Sequence, residues 1–272
     1  MQAAGAQCKP FVEPAVWFRR YGRTMLKSRP FGLKGYDMHR WFVLLLSLLL
    51  AACGEGALRV QPAEEWLGDE PEAEPMVQTF REVSRAVGAE ARRQCLKQTT
   101  GQNCDFRILV DLNPQASVNA FQTLDENKQP VIIFTRSMIE STQNADELAF
   151  VMGHEAAHHV LGHIARQSEI ASASAAEFGR VAELRGGDAA AIEEAQKLGA
   201  QVGVQAYVKD FELEADQLGT IITYNAGYNP LVGARFFDRI PDPGDRFLGT
   251  HPPNAQRVQI VRETAEQLGL SQ

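Results

Sequence analysis

The chain has few cysteines and no long apolar run, and most of it is short of positive charge. Four cysteines in 272 residues are too few to hold a fold together as a disulfide scaffold. The longest apolar run, residues 41–52, has only twelve residues and is too short to cross a bilayer as a helix. Residues 1–52 hold eight of the 27 Lys and Arg and two of the 34 Asp and Glu, so residues 53–272 hold 19 basic and 32 acidic side chains. That acidic body argues against nucleic-acid binding, which needs a basic surface.

The twelve-residue apolar run is typical of an export signal. It follows Arg40 and ends in small residues, as a secretory signal peptide does. Residues 50–54, Leu-Ala-Ala-Cys-Gly, resemble the lipobox of bacterial lipoproteins, in which the cysteine is lipidated and becomes the mature N-terminus. An ordinary signal peptide with an incidental cysteine is the alternative. Acyl chains on Cys53 would anchor the protein to a membrane without a transmembrane helix.

The same region sets the expected limits of the folded domain. Met38 begins a complete lipoprotein signal at 38–52, so residues 1–37 are expected to be an over-extended start or a leader. Residues 53–75 are rich in Gly, Pro and acidic side chains, which predicts a flexible acidic tether. The folded domain is therefore expected to cover 76–270.

Hydrophobic periodicity predicts an α+β domain that is mostly helical and has one small sheet. Cys95 and Cys104 flank a short polar loop, which in an exported protein predicts a disulfide. A metal-binding pair is the alternative, although no further Cys or His lies nearby in the sequence. The expected strands are 106–110 and 131–135, and the expected helices are 76–94, 144–167, 168–218 with a break at Gly186-Gly187, a short one after Pro230, and a terminal one to about 268.

The helix expected at 144–167 carries the chemistry. His154, Glu155 and His158 form an H-E-x-x-H motif. Residues four apart lie one above the other on a helix, so both imidazoles can reach one zinc ion. Glu155 lies about 100° further around the helix axis, and it is expected to act as general base and acid on the attacking water. A helix with two incidental histidines is the alternative, but burying these three polar groups without a partner would be costly.

A catalytic zinc site needs a third protein ligand. Glu212 and Asp216 are four apart and share a helix face, whereas Glu214 points away from both. Glu212 can therefore bind the metal while Asp216 holds the other ring nitrogen of a histidine. Taken alone, this acidic stretch could equally be a solvated helix face.

Three motifs in order, H-E-x-x-H, E-x-E-A-D at 212–216 and Thr-His-Pro at 250–252 followed by Arg257, resemble the gluzincin family of HtpX-like and CAAX-prenyl-protease-like zinc metallopeptidases. The resemblance covers about 76–268 and is closest to the family's soluble periplasmic lipoprotein branch. It implies a zincin-like fold with an active-site helix, a zinc-ligand helix and a substrate-binding edge strand. It implies one Zn²⁺ held by His154, His158 and Glu212, with Asp216 orienting a ligand.

The resemblance also implies roles for residues outside the two ligand helices. His251 is expected close to the zinc, either as a donor to the transition state or as an inhibitory fourth ligand, and Arg257 is expected to support that loop or the oxyanion. Substrate binding is assigned to Asn119-Ala120-Phe121 and to an edge strand at 131–135 that includes Ile133. Residues 125–130, DENKQP, replace the Gly-rich segment that the family often has there. No tetratricopeptide-like repeat follows, so a repeat-based docking surface is not expected.

Two further histidines follow the motif. His159 and His163 are four apart on a different face from the ligand pair. A second metal site is one interpretation of this spacing. The favoured interpretation is that His163 is buried with a hydrogen-bond partner and that His159 is partly exposed.

The favoured function is a zinc endopeptidase of the bacterial cell envelope that cleaves unfolded or misassembled proteins. Pairing of an extended peptide with the 131–135 strand would make recognition broad. Outer-membrane assembly machinery is a candidate partner, and the outer membrane is the expected location because Gly54 and Glu55 lack the aspartate that retains some lipoproteins at the inner membrane. The alternatives are a tethered assembly factor or chaperone with a latent or structural zinc site, and a zinc hydrolase of small substrates or peptidoglycan peptides.

Overall fold

The structure is a computed structural model, and it describes residues 58–66, 74–244 and 251–270. The expected signal peptide, the lipidation site at Cys53 and Thr250 of the third motif lie outside these described residues. No helix within the described ranges is both long enough and apolar enough to cross a bilayer.

A four-stranded mixed sheet forms one side of the fold, with the spatial order β1-β2-β4-β3. β1 pairs antiparallel with β2, β2 parallel with β4, and β4 antiparallel with β3. The strands are β1 (Val60–Pro62), β2 (Arg107–Asp111), β3 (Ala120–Leu124) and β4 (Pro130–Thr135).

The sheet order corrects the predicted edge strand. Residues 131–135 belong to β4, which lies between β2 and β3 and is buried along its whole length. Its uninterrupted apolar run is what an interior strand requires, because both of its faces are covered. Within the described residues β3 pairs on one side only, so β3 is one of the two edge strands of the sheet and β1 is the other.

The first strand also corrects the predicted tether. Residues 58–66 belong to the folded domain, since β1 pairs with β2 and the Arg59 amide donates to the Asp111 carboxylate at 3.0 Å. Trp66 is buried and meets the Phe80 ring edge-on at 5.8 Å between centroids. The folded domain therefore begins before Met76, and the predicted boundary is wrong. The Gly, Pro and acidic residues of 53–75 dominate the composition of this segment, so one short strand and one buried tryptophan did not stand out.

Helices pack on the sheet and on one another. Helix α1 (Glu74–Gln98) is pinned at its end by the Cys95–Cys104 disulfide, whose Cα atoms are 5.6 Å apart. A short helix α2 (Arg136–Ser141) follows β4 directly. Buried side chains of the main core include Val77, Phe80, Val83, Val87, Phe134, Ile139, Leu148, Met152 and Ile222.

Helix α3 (Ala145–Val160) carries the H-E-x-x-H motif. Asn144 caps its N-terminus: the Asn144 side chain accepts from the Glu147 amide, and the Glu147 carboxylate accepts from the Gln143 amide. Its C-terminus comes earlier than 167. The chain turns at Gly162, whose φ of 66° lies in the left-handed region that glycine adopts without strain.

Two long helices follow α3 and form a hairpin. Helix α4 (His163–Leu184) and helix α5 (Ala189–Asn225) are separated by the predicted Gly186-Gly187 break. Near its C-terminal end α5 approaches α3 so closely that a Cβ atom on Gly219 would lie 2.9 Å from the backbone of His154. Glycine at this crossing lets the two ligand-bearing helices meet.

The chain closes with short helices and one long one. Helix α6 (Pro230–Gly233) continues into a 3₁₀ turn at Ala234–Asp238, and α7 (Asn254–Gln267) ends the described part of the chain. The α7 helix packs against α5 and the 3₁₀ turn, so it can present a side chain to the site on α5.

Candidate metal centre and active site

Three side chains from α3 and α5 converge on one point. The Nε2 atoms of His154 and His158 are 3.0 Å apart. The Glu212 carboxylate reaches both, with its oxygens 3.6 Å from His154 Nε2 and 3.5 Å from His158 Nε2. Over the parts of the chain that the structure describes, this is the one cluster of three His, Cys, Asp or Glu side chains whose ligand atoms lie within 4.8 Å of one another.

The chemistry of this donor set fits a zinc ion. Two imidazole nitrogens and one carboxylate are a common protein ligand set for catalytic zinc. The second nitrogen of each imidazole already has a hydrogen-bond partner, which leaves the two Nε2 atoms directed at the shared point. Burial, followed by the charge of His154, holds the pKa of His158 well below its usual value, so that ring is neutral as metal binding requires.

Asp216 and Arg257 hold His154 from behind. The Asp216 carboxylate is fully buried and lies 2.8 Å from His154 Nδ1, which must donate because a carboxylate only accepts. Arg257 donates to both oxygens of Asp216, at 2.7 Å and 2.6 Å, and its guanidinium lies 4.1 Å from the centre of the Phe237 ring. Burial raises the pKa of Asp216, but Arg257 and His154 outweigh burial and lower the pKa overall. A charged Asp216 therefore fixes His154 with its Nε2 lone pair toward the ligand cluster.

Arg257 was expected, with Asp216, among the groups behind the ligands, and its contacts place it there. Its guanidinium lies on Asp216, and its Nη2 atom is 3.7 Å from the Glu212 carboxylate. It joins two carboxylates of α5 to helix α7. In the structure, its observed role is to hold the groups that position the ligands.

Glu155 is half-buried between the ligand cluster and β3. Burial raises its pKa to about 7; the charge of His154 opposes that rise, and the Glu212 carboxylate adds to it. The main chain of Gln122 on β3 forms a hydrogen bond with this carboxylate. A carboxyl group with a pKa near neutrality can both accept and return a proton under physiological conditions.

A cavity of about 900 Å³ opens over the ligand cluster. His154, Glu155, His158 and Glu212 form part of its wall, and Asn119, Ala120 and Phe121 form another part. Ile133 lies elsewhere. It is buried in a small cluster with Leu109, Val131 and Phe121, and the cavity wall formed by the described residues does not include it.

The main-chain groups of β3 that face away from β4 border this cavity. The Thr135 amide donates to the Asn119 carbonyl at 3.0 Å, so these opposite residues form a hydrogen-bonded pair. Because such pairs alternate along an antiparallel ladder, Ala120 and Gln122 direct their N–H and C=O groups away from β4. The family's N-A-F element thus marks the edge strand itself rather than a site beside it.

His251 lies at the mouth of the site. Its Nε2 atom is 3.8 Å from a Glu212 oxygen, and its side chain is 53% exposed. It also lines the cavity. The structure therefore brings the histidine of the third motif to the ligand cluster, although 38 residues separate it from Glu212 in the sequence.

The two further histidines are both buried. His159, expected to be partly exposed, is 6% exposed; its Nε2 donates to the Asn103 carbonyl at 2.6 Å, and its own carbonyl accepts from Gln102. His163 is 1% exposed and lies between His158 and Glu214. The sequence missed this contact because a helix continuing past Val160 would carry His163 away from His158. Each ring contacts its own partner, which leaves no common point for a second metal between them.

Comparison with known proteins identifies the family. The model of peptidase family M48 matches residues 78–265. The beta-barrel assembly-enhancing protease of Yersinia pestis is 25% identical over 164 residues, which cover 56% of this chain and 33% of that protein. The Escherichia coli K12 protein of the same name is 25% identical over 166 residues, with the same coverage.

A third relative gives the same result. The putative beta-barrel assembly-enhancing protease of Vibrio cholerae is 32% identical over 141 residues, or 46% of this chain and 28% of that protein. The chain thus spans about a third of the length of the curated relatives it matches. The family match covers strands β2, β3 and β4, both ligand helices and most of α7. The chain belongs to peptidase family M48, a family of zinc-dependent enzymes, and it is a metallopeptidase.

Proposed function

We propose that the chain is a zinc-dependent endopeptidase of the bacterial cell envelope that cleaves unfolded or misassembled proteins. The observation that carries this proposal is the convergence of His154, His158 and Glu212 beside Glu155 and a free strand edge. His154, His158 and Glu212 would hold one zinc ion. When bound, zinc supplies Lewis-acid chemistry that polarises a carbonyl group and lowers the pKa of water.

The chain's own residues supply the proton transfers and the positioning. Glu155 takes a proton from the attacking water and returns it to the leaving amine, a role that its pKa of about 7 supports. Asp216 keeps His154 in the tautomer that a ligand needs, and Arg257 keeps Asp216 charged.

Substrate binds as an added strand on β3. An extended segment can pair with the outward N–H and C=O groups of Ala120 and with the outward C=O group of Gln122, which lie along the cavity that contains Glu155. Backbone pairing places few demands on side chains, so recognition is broad. Such an edge accepts only chain that is locally unfolded, because a folded segment has already paired its main-chain groups.

The N-terminal sequence and the names of the relatives support a proposed location. Lipidation at Cys53 anchors the chain to a membrane, with the outer membrane favoured, and leaves the metallopeptidase domain in the periplasm. The relatives' names describe proteases that enhance beta-barrel assembly, which supports envelope proteins as substrates and outer-membrane assembly machinery as a partner. Mass spectrometry of the membrane-bound chain tests the anchor, since an unmodified Cys53 there would contradict it.

Metal analysis combined with digestion of unfolded casein tests the proposed activity. We expect one zinc ion per purified chain and cleavage that a chelator stops and added zinc restores. Folded, disulfide-intact ribonuclease is the matched control substrate and should remain uncut. A chain that binds zinc but cuts no unfolded protein would instead favour the latent or structural site of an assembly factor.

His251→Ala should raise the rate of casein cleavage. We assign His251 a restraining role, because its Nε2 lies 3.8 Å from Glu212 at the mouth of the site, where an imidazole can occupy an open ligand position. Initial rates at matched zinc content measure the effect. A fall of about tenfold or more would assign His251 to transition-state stabilisation instead, and an unchanged rate would remove it from the site.

A further inference from the structure

The second ligand histidine, His158, has an unusual neighbour. Its Nδ1 atom lies 2.7 Å from the Nδ1 atom of His163, and the other nitrogen of His163 lies 3.1 Å from the Glu214 carboxylate. We propose that His163, oriented by Glu214, is a positioning residue that holds His158 in the tautomer and rotamer with its Nε2 lone pair toward the metal. This inference rests on the proposed metal site and extends it beyond its ligands.

The direction of each hydrogen bond follows from the carboxylate. Glu214 can only accept, so His163 Nε2 carries a proton and donates to it. In a neutral His163 ring, Nδ1 then has a lone pair and accepts from His158 Nδ1. The remaining nitrogen of a neutral His158 is Nε2, and it is left unprotonated, as a ligand must be. The carboxylate thus sets the tautomer of the ligand through one intervening ring.

The intervening ring is clamped in place. His163 stacks on Phe211 with centroids 4.6 Å apart and planes inclined by 24°. Arg166 lies over the same Phe211 ring at 4.4 Å and donates to Glu214 at 2.5 Å and 3.2 Å. The His163 side chain is 2% exposed, whereas Glu214 is 40% exposed. A buried ring held on three sides cannot flip without breaking these contacts.

Two local features bring the parts together. The left-handed turn at Gly162 ends α3 directly after the motif and starts α4 at His163, so the chain folds back toward His158. On α5, Phe211, Glu212 and Glu214 are nearly consecutive, so one short stretch supplies the stacking ring, a metal ligand and the orienting carboxylate. The two glutamates of the E-x-E therefore have different functions. Glu212 lies on the Nε2 side of His158 as a metal ligand, and Glu214 orients the ring on its Nδ1 side.

The two ligand histidines are thus held in different ways. His154 donates directly to the buried carboxylate of Asp216. His158 donates to a neutral imidazole, which donates in turn to a half-exposed carboxylate. Replacing His163 should therefore change metal binding without removing any ligand.

Two variants of His163 test the inference. His163→Phe keeps an aromatic ring against Phe211 but removes the acceptor for His158, and we expect zinc affinity to fall by about 10- to 100-fold. His163→Gln offers a side-chain oxygen as acceptor and should recover most of that loss. Glu177→Gln, which removes an exposed carboxylate from the same helix, is the matched control and should bind zinc as the wild type does. Competition with a chromophoric chelator measures the affinities.

The tautomer is measured directly by long-range ¹H–¹⁵N NMR of the metal-free chain. We expect the wild type to carry the His158 proton on Nδ1, and His163→Phe to shift part of the population to Nε2–H. Wild-type His158 protonated on Nε2, or His163→Phe with wild-type zinc affinity and tautomer, would overturn the inference. These readouts use no proteolysis. A chain with the expected tautomer that cuts no protein would contradict the proposed activity alone.

Discussion

Replacing Glu155 with glutamine should abolish peptide-bond hydrolysis and leave zinc binding unchanged. Glutamine preserves the size of the side chain but cannot accept the proton of the attacking water. General acid–base catalysis contributes about 10²- to 10⁴-fold to rate, so cleavage of unfolded casein should fall by at least that factor. Zinc content by elemental analysis should remain that of the wild type, because Glu155 is not among the three converging ligands.

The matched control is Glu169→Gln, which removes an exposed carboxylate from helix α4. It should cleave casein at the wild-type rate, so that an effect of Glu155→Gln cannot be ascribed to the lost charge alone. Digestion by Glu155→Gln at the wild-type rate would show that another group transfers the proton. Loss of zinc together with activity would show that Glu155 supports the metal site itself.

Glu212→Ala should lower zinc affinity much more than Glu214→Ala. The Glu212 oxygens lie 3.5 Å and 3.6 Å from the two ligand nitrogens, so its removal deletes a ligand. Glu214 contacts His163 and Arg166 instead, so its removal should cost only the about 10- to 100-fold typical of a residue that orients a ligand. Chelator competition on both variants measures the difference.

His158→Ala is the reference for complete loss of the site and should lose both zinc and activity. Both glutamate variants should unfold cooperatively, since neither side chain belongs to the buried apolar core. Equal zinc affinity of Glu212→Ala and Glu214→Ala would refute the assignment of Glu212. An affinity of Glu214→Ala equal to that of the wild type would argue against the orienting role of Glu214.

Contacts within one helix were predictable because helical spacing is regular. His154 and His158 are four apart on α3, and Glu212 and Asp216 are four apart on α5, so each pair shares a face whatever the rest of the chain does. The resemblance to known metallopeptidases then related the two helices. The structure places Glu212 with the histidines and Asp216 on His154.

Contacts that depend on where an element ends were not predictable. The apolar character of α3 continues past Val160, and the sequence offers no strong reason to prefer a break at Gly162 over a longer helix. That break decides whether the His163 side chain points away from His158 or places its Nδ1 atom 2.7 Å from His158 Nδ1. A glycine inside an apolar segment is tolerated in many helices, so only the packed chain distinguishes the two outcomes.

The sequence by itself determined the ligand types, their pairing within helices and the presence of a general base. Which strand forms the free edge, which groups hold each ligand and where the third motif lies were decided only by the tertiary structure. β4 has the stronger strand pattern because it is buried on both faces and lies inside the sheet, whereas β3, with its half-exposed residues, is the edge strand beside the ligand cluster. Strand order and contacts such as Arg257 with Asp216 join residues far apart in the chain. They depend on how whole elements pack, and local residue patterns do not encode that packing.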